Sequence, residues 1–175
     1  MSAQLFVSPS ARTRRSRACA WVRERGRENP VRVVGATLQS TQELVRDAAS
    51  EGHLGWRAIT LDRLAVELAA PALVRSDCVP ATRLAMEAVC ARVVAEAGEA
   101  LGRFAKVAEH PGLPGAIAST LDELRLAGVT ADGYPDDLKA IAIAFDQALA
   151  AAGLADRSVI LDLAVGVVRD HERAS

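Results

Sequence analysis

Aromatic residues make up only 3% of the 175-residue sequence, although half of all residues are hydrophobic. The core must therefore be built mainly from alanine, leucine, valine and isoleucine. The three cysteines, Cys19, Cys78 and Cys90, are odd in number and form no C-x-x-C pair. This spacing argues against a disulfide framework and against a zinc site.

Long hydrophobic runs are also missing. The most apolar stretch, residues 159–168, is interrupted by Asp162 and is about half as long as a membrane span. The run Leu5-Phe6-Val7 is too short for the apolar part of a signal peptide. A formal net charge of -1 provides no overall attraction to nucleic acid or to an anionic membrane. We therefore expect a cytoplasmic protein with no membrane partner.

Positive charge is nevertheless concentrated in one stretch near the start. Seven arginines fall there: Arg12, Arg14, Arg15, Arg17, Arg23, Arg25 and Arg27. Helical periodicity predicts a helix over Ala11–Arg25, whose narrow apolar stripe is flanked by these arginines. Two interpretations stay open: a solvated surface helix, or a face that binds phosphate or a partner.

The first seventy residues alternate between short apolar runs and helical patterns. Three strands are predicted, at Leu5-Phe6-Val7, residues 31–36 and Trp56–Thr60. A helix follows each of them, at Ala11–Arg25, at residues 40–50 and at residues 61–70. The Ser-x-x-Glu spacing at Ser40 is typical of a capping box, and Pro71 helps to end the third helix. Such alternation predicts a parallel sheet with right-handed crossovers, whose carboxyl edge would carry a binding site.

After Pro71 the pattern is helical throughout. Helices are predicted over residues 81–97, in part of 98–109, over 113–127, between Pro135 and Gly153, and over 157–169. Gly128 and Gly153 provide stops, and Asp156 can cap the last helix. We expect an α/β protein in which a short parallel three-stranded sheet, residues 1–72, is followed by an all-helical insertion subdomain, residues 73–175.

The last predicted helix is apolar nearly all round, which favours burial on several sides. A three-stranded sheet would also leave an unpaired edge. We therefore expect the remainder of a longer polypeptide, or a partner subunit, to complete the structure.

Five strings carry a family resemblance: Leu5-Phe6-Val7-Ser8-Pro9, Val33-Val34-Gly35-Ala36-Thr37, residues 59–65, residues 111–129 and residues 153–157. They resemble the helicase-like N-terminal region of AddB-type subunits, which belong to bacterial helicase–nucleases that process DNA double-strand breaks. The resemblance follows the order of elements over nearly the whole chain. It implies a P-loop, helicase-like fold for the sheet. It also places an iron–sulfur PD-(D/E)XK nuclease in a C-terminal region that this sequence does not include, so we expect no cofactor in this segment.

The phosphate loop of that family reads G-x-x-x-x-G-K-[ST]. Laid on this chain, its glycines fall on Ser8 and Thr13, its lysine on Arg14 and its hydroxyl residue on Arg15, with Ser10 inside the loop. A Cβ at Thr13 hinders the approach of phosphate to the backbone, and Arg15 has no hydroxyl for magnesium. We expect this degenerate loop to have lost ATP and magnesium binding, so the segment has no catalytic residues.

The resemblance also matches Thr37 and Thr60 to threonines that contact the DNA backbone in active helicases. With Arg63, they are the candidate DNA-backbone contacts. The alternative for each threonine is a plain helix N-cap.

The string Pro135-Asp136-Asp137-Leu138-Lys139 spells a compressed nuclease motif. A nuclease needs these groups on separate parts of a β-core, whereas here they share one helical turn, where acids suit the helix dipole. His53, His110 and His171 have no neighbouring ligand pattern, so no metal site is expected.

The resemblance thus implies a non-catalytic, helicase-like segment of a bacterial DNA double-strand-break repair subunit, which serves as a scaffold and makes weak contact with the DNA backbone. The alternative is a small α/β protein-interaction module unrelated to DNA. Its arginine-rich helix and its apolar last helix would dock a partner.

Overall fold

The computed structural model describes residues 4–26, 30–49 and 55–174 of the chain. In these residues the helices are α1 (Ala11–Arg25), α2 (Leu38–Ala48), α3 (Leu61–Arg75), α4 (Arg83–Ala97), α5 (Leu113–Leu126), α6 (Asp136–Ala151) and α7 (Arg157–Ala174). The strands are β1 (Val31–Gly35), β2 (Trp56–Thr60), β3 (Val79–Pro80) and β4 (Leu154–Ala155). Short 3-10 segments cover Gly98–Val107 and Ala131–Gly133. None of the helices in these residues combines the length and the hydrophobicity that crossing a bilayer requires.

The predicted three-stranded, P-loop-type sheet is wrong. Strands β1 and β2 do pair in parallel, with Val31 opposite Trp56 and Gly35 opposite Thr60. The run Leu5-Phe6-Val7, however, forms no strand, and in the described part of the chain nothing pairs with it. Leu5 is 91% exposed, so burial does not hold the run in place either. Because a strand exists only where its backbone groups are paired, three apolar residues alone do not make one.

The prediction of an all-helical second part is also wrong. Strands β3 and β4 form a second parallel pair, with Val79 opposite Leu154 and Pro80 opposite Ala155. The Val79 N–H donates to the Gly153 carbonyl at 2.9 Å. Strands of two residues have no periodicity, so no sequence pattern predicts them. The described part of the chain is mostly helical and contains two separate two-stranded parallel sheets.

The chain divides into two compact units, Met1–Leu64 and Ala65–Ser175, called unit 1 and unit 2 below. The core of unit 1 is small and joins α1, β1 and α2 through Cys19, Val22, Val31 and Ala48. The main core of unit 2 joins α4, α5 and α6. Its most deeply buried large side chains are Phe145, Leu121, Ile141 and Cys90.

Several helix ends agree with the sequence signals. Helix α1 stops at Gly26, α5 before Gly128 and α6 before Gly153. The last two glycines have positive φ values, which glycine adopts without a steric penalty. The stops predicted at Gly128 and Gly153 are confirmed.

Helix α3 passes through Pro71 and ends only at Arg75, so the predicted end at residue 70 is wrong. A proline inside a helix removes one N–H donor and costs about 3 kcal/mol. Leu73, two residues later, is 4% exposed and packs in a buried cluster with Ala69. Burial of Leu73 offsets part of the cost of the proline and holds the last turn.

Helix α2 begins at Leu38 rather than at Ser40, so the predicted capping box is wrong. Thr37 has an extended backbone and its Oγ1 accepts the Ser40 N–H at 3.2 Å, which makes it the N-cap. Glu43 instead accepts a hydrogen bond from Gln39 at 3.2 Å. The threonine three residues earlier thus takes the capping role that we assigned to Ser40.

Asp156 is the predicted N-cap of α7, and this prediction is confirmed. Its Oδ1 accepts the Val159 N–H at 2.9 Å. Its other oxygen pairs with Arg125, which also contacts the carboxylate of Asp146. The Arg125 guanidinium lies 5.4 Å from the centre of the Phe145 ring. Since Asp156 is only 5% exposed, this cluster places an ion pair beside the main core.

Two residues after the end of α3, Asp77 lies in the left-handed backbone region, at φ 51°. The Cys78 N–H donates to the Leu73 carbonyl and the Asp77 N–H to the Val74 carbonyl, which is a Schellman motif. Replacing Asp77 with glycine should raise the free energy of unfolding by about 0.5–1 kcal/mol, because glycine adopts this conformation without a Cβ clash. Urea unfolding followed by circular dichroism measures the change.

The matched control for this replacement is Gly153→Ala, at φ 62°, whose added Cβ would lie 3.0 Å from the Asp77 carbonyl oxygen. This variant should be less stable than the parent chain. Equal stability of both variants and the parent would contradict the assigned role of the left-handed turns.

The three cysteines differ in accessibility. Cys90 has no exposed surface, and burial raises the pKa of its thiol to about 11. Cys19 is buried as well, whereas Cys78 is partly exposed. In the folded chain at mildly alkaline pH, a thiol reagent should therefore modify Cys78 first, and Cys90 only after unfolding. Mass spectrometry of the modified peptides checks the order, and early labelling of Cys90 would contradict the described core.

Candidate functional site

The start of α1 is held by its own serines. Ser10 is the N-cap, and its Oγ accepts the Thr13 N–H at 3.3 Å. The Ser8 Oγ accepts the Ser10 N–H at 3.3 Å. Serine hydroxyls thus take N–H groups that a phosphate would use at a helix N-terminus.

Arg14 and Arg15, which align with the lysine and the hydroxyl residue of the family's phosphate loop, contact different parts of the unit. Arg14 donates to the carbonyl oxygen of Ser8, close to the loop. Arg15 instead donates from Nε to Asp47 on α2 at 2.8 Å and lies 3.5 Å from Glu43. The Asp47 carboxylate raises the pKa of the Arg15 guanidinium. The structure brings Arg14 together with the serines and places Arg15 on another face.

The candidate DNA-contact threonines lie on one edge of the first sheet. Gly35, the last residue of β1, is opposite Thr60, the last residue of β2, and Thr37 follows shortly after Gly35. Both threonines cap helices: Thr37 caps α2, and the Thr60 Oγ1 accepts the Arg63 N–H at 3.3 Å. Arg63 is exposed in the first turn of α3. The edge therefore combines two helix N-termini with one arginine.

Unit 1 has a cavity of about 1110 Å³ between residues 4–6, α1 and β1. We call it the arginine groove. Its charged and aromatic lining consists of Phe6, Arg14, Arg17, Trp21, Arg25 and Arg32. Four of these follow one another at helical spacing along α1, so they share one face of the helix.

On the opposite face of α1, Arg15 and Arg23 make contacts within the unit. Arg15 pairs with Asp47, as described, and Arg23 donates to the carbonyl oxygens of Asp47 and Ala48 at the end of α2. In contrast, no described carboxylate pairs with Arg25 or Arg32. Between residues 4 and 44, the described residues that line the groove include four arginines and no acid. Among the described residues, no acid that lines the groove balances this positive charge.

Aromatic side chains accompany these arginines. The Arg17 guanidinium lies 6.0 Å from the centre of the Phe6 ring, at the outer limit of a cation–π contact. Phe6 is 48% exposed and Trp21 is 44% exposed. The groove can therefore contact both anionic and apolar groups.

Sequence reasoning identified the arginines of α1 but did not single out Arg32, Phe6 or Trp21. Arg32 follows buried Val31 in β1, so strand alternation turns it outward. The interleaving of aromatics with arginines between residues 6 and 25 was a further available signal.

The compressed nuclease motif stays in one helical turn. Asp137 pairs with Arg103 at 2.7 Å, and Lys139 pairs with Asp132 at 2.6 Å. Within residues 4–26, 30–49 and 55–174, no group of three histidine, cysteine or acidic side chains could hold a metal ion. His53 and Arg27 lie outside these residues. Comparison of the chain with models of known protein families and with curated proteins found no match.

Proposed function

We propose that this chain is a non-catalytic scaffold segment of a cytoplasmic, AddB-type DNA-repair helicase–nuclease subunit, and that its arginine groove holds an anionic partner. The observation that supports this proposal is the charge of the groove. Arg25 and Arg32 point positive charge at a cavity of about 1110 Å³ and have no described carboxylate partner. That volume is at or above the usual range of about 300–1000 Å³ for small-molecule sites, so a macromolecular segment suits it better.

A non-catalytic role is supported by the contacts at the start of α1. The Thr13 N–H is bound by Ser10, and Arg15 is directed to Asp47. A triphosphate there would have to displace the serine and would find neither the flexible glycine backbone nor the hydroxyl ligand for magnesium. We therefore expect neither ATP binding nor ATP hydrolysis.

Weak contact with the DNA backbone belongs to the same proposal. It would use the edge where Thr37 and Thr60 begin neighbouring helices. The threonine hydroxyls cap those helices, so the Arg63 guanidinium and the remaining N–H groups of the first turns would meet phosphate. Such contact carries no base specificity.

The test measures the fluorescence anisotropy of labelled single-stranded DNA and of labelled ATP with the full chain. DNA affinity should fall between about 50 and 200 mM salt, and Arg63→Ala should lower the slope of log affinity against log salt by about 0.7 for each phosphate that the protein no longer neutralises. Arg83→Ala is the control, because Arg83 is a highly exposed arginine on α4 in unit 2. Micromolar ATP affinity with hydrolysis would overturn the non-catalytic role. An Arg63→Ala variant that binds DNA like the control would remove the proposed edge.

One observation favours the alternative function, a protein-interaction module without DNA. In the described residues, β1 has a partner strand on one side only, and the arginine groove borders the strand. An open strand edge is a natural docking position for another polypeptide.

A further inference from the structure

We propose that the arginine groove takes an extended acidic segment of a protein partner, which adds to the free edge of β1 as a third strand. This inference rests on the docking role proposed above and names its occupant. It differs from nucleic-acid binding in requiring backbone pairing as well as charge.

The groove follows the edge of β1 rather than one of its faces. Val31, Arg32, Val33 and Val34 all line it, one after another. Successive side chains of a strand point to opposite faces, so a cavity that borders four consecutive residues runs along the strand edge. Since β2 already occupies one edge of β1, the groove borders the other.

An open edge has backbone groups to satisfy. Each residue of β1 has one N–H and one C=O, and a strand with one partner directs alternate groups away from that partner. In the described part of the chain no strand accepts or donates on this side. A polypeptide in extended conformation matches their spacing, whereas a nucleic-acid backbone has no equivalent ladder of donors and acceptors.

The residues that line the groove indicate which side chains the occupant would have. Arg25 and Arg32 favour aspartate or glutamate side chains, and Arg14 and Arg17 add to the same field. Apolar surface lies beside them, because Leu5, Phe6 and Val34 are 91%, 48% and 42% exposed. Val31 and Val33 lie on the opposite face of β1 from Arg32, so an occupant with alternating acidic and apolar residues can place its acids on the face of Arg32 and its apolar residues on the face of the two valines.

The experiment measures binding of the full chain to a short fluorescein-labelled peptide of alternating glutamate and valine. The peptide should bind, and its counterpart of alternating lysine and valine should not. Two further acidic peptides are N-methylated at every second residue, one at the odd positions and one at the even positions. One of these should lose binding by about tenfold or more and the other should retain it, because only one set of N–H groups can face β1. Equal binding of both methylated peptides would overturn strand addition and leave only charge attraction.

Charge is tested with the variant Arg25→Glu/Arg32→Glu, which should weaken binding of the acidic peptide by about tenfold or more. Arg83→Glu/Arg92→Glu makes the same change of charge on exposed positions of α4 and should leave binding nearly unchanged. Circular dichroism and tryptophan fluorescence verify folding, and Arg25→Gln/Arg32→Gln replaces the reversal if it unfolds unit 1. Full binding by a folded groove variant would overturn the inference.

A final comparison separates this inference from the docking role. Suppose that the acidic peptide does not bind, whereas an oligothymidylate binds and loses affinity when Arg25 and Arg32 are replaced. The groove then docks an anion, but the inferred occupant is wrong. If neither ligand binds, the docking role fails together with the inference. If the acidic peptide binds and Arg63→Ala leaves DNA affinity unchanged, the docking role is supported. Only the proposed DNA contact at Arg63 is then contradicted.

Discussion

Replacing Arg125 with methionine should lower the free energy of unfolding by about 3–5 kcal/mol. Arg125 is the ion-pair partner of Asp156, which is 5% exposed and caps α7. Without the guanidinium, the buried carboxylate keeps its hydrogen bonds from Ser158 and Val159 but loses the opposite charge, and the cation–π interaction with Phe145 disappears as well. Because small domains are stable by only about 5–15 kcal/mol, such a loss would be a large part of the total.

Urea unfolding followed by far-ultraviolet circular dichroism measures this effect. Arg83→Met is the matched control, since Arg83 is highly exposed, pairs with Glu87 and should change stability by less than about 1 kcal/mol. A loss as small as that of the control would show that Asp156 does not depend on Arg125.

The second acid beside Arg125 should behave differently. Asp146 is more exposed than Asp156, and desolvation raises its pKa, although Arg125 opposes the shift. A carboxyl whose pKa is raised on folding stabilises the folded state at low pH, and this contribution is lost as pH rises through that pKa. Asp146→Asn should therefore gain stability relative to the parent chain between acidic and neutral pH. A relative loss over that range would contradict the assignment.

Gly26→Ala should destabilise unit 1 by about 2–4 kcal/mol. Gly26 has an ordinary φ of -77°, so the cost is one of space rather than of backbone strain. A Cβ there would lie 2.2 Å from Nε1 of Trp56. The same indole N–H donates to the Gly26 carbonyl at 3.1 Å, so moving the ring also breaks a hydrogen bond. Trp56 packs against the core of unit 1, and its displacement would loosen α1 and β2 together.

Tryptophan fluorescence is the measurement, because both tryptophans of the chain, Trp21 and Trp56, belong to unit 1. Gly166→Ala is the control with the same chemical change. Gly166 lies inside α7 with open space around the added methyl group, so alanine should stabilise the helix by about 0.8–1 kcal/mol. A Gly26→Ala chain with an unchanged fluorescence transition would contradict the described contact.

Helices were the most predictable part of this fold, because their signals are local. Gly26, Gly128 and Gly153 stop helices and Asp156 caps one, and each acts through its own backbone or a neighbour three residues away. The end of α3 was predicted wrongly at Pro71. The helix continues because Leu73 is buried against residues distant in sequence, which a local signal does not show.

Strands were predictable only where both partners were long enough to leave a pattern, as in β1 and β2. Leu5-Phe6-Val7 has the composition of a strand and, in the described residues, no partner, whereas β3 and β4 have a partner but only two residues each. Pairing between distant segments decides these cases, and one sequence does not encode it locally.

The same limit applies to the candidate site. The arginine-rich helix was predictable from the sequence, but the partners of its arginines were not. They depend on the position of α2, whose Asp47 pairs with Arg15 and whose Ala48 carbonyl accepts a hydrogen bond from Arg23. With no strand at Leu5-Phe6-Val7, the proposed docking of an anionic partner rests on the charge and shape of the arginine groove, and the comparison with a phosphate loop supports only the non-catalytic role.

The short strands β3 and β4 pair at the two ends of the segment that contains α4, α5 and α6. The chain leaves at Ala81 and returns at Gly153, and hydrogen bonds from Val79 to Gly153 and from Ala81 to Ala155 tie the two ends together. The core of this excursion, from Cys90 to Leu149, lies wholly inside it. The two ends of this segment would therefore stay together if it were moved into a surface loop of another protein, but Arg125 on α5 would lose its partner Asp156, which lies outside the segment.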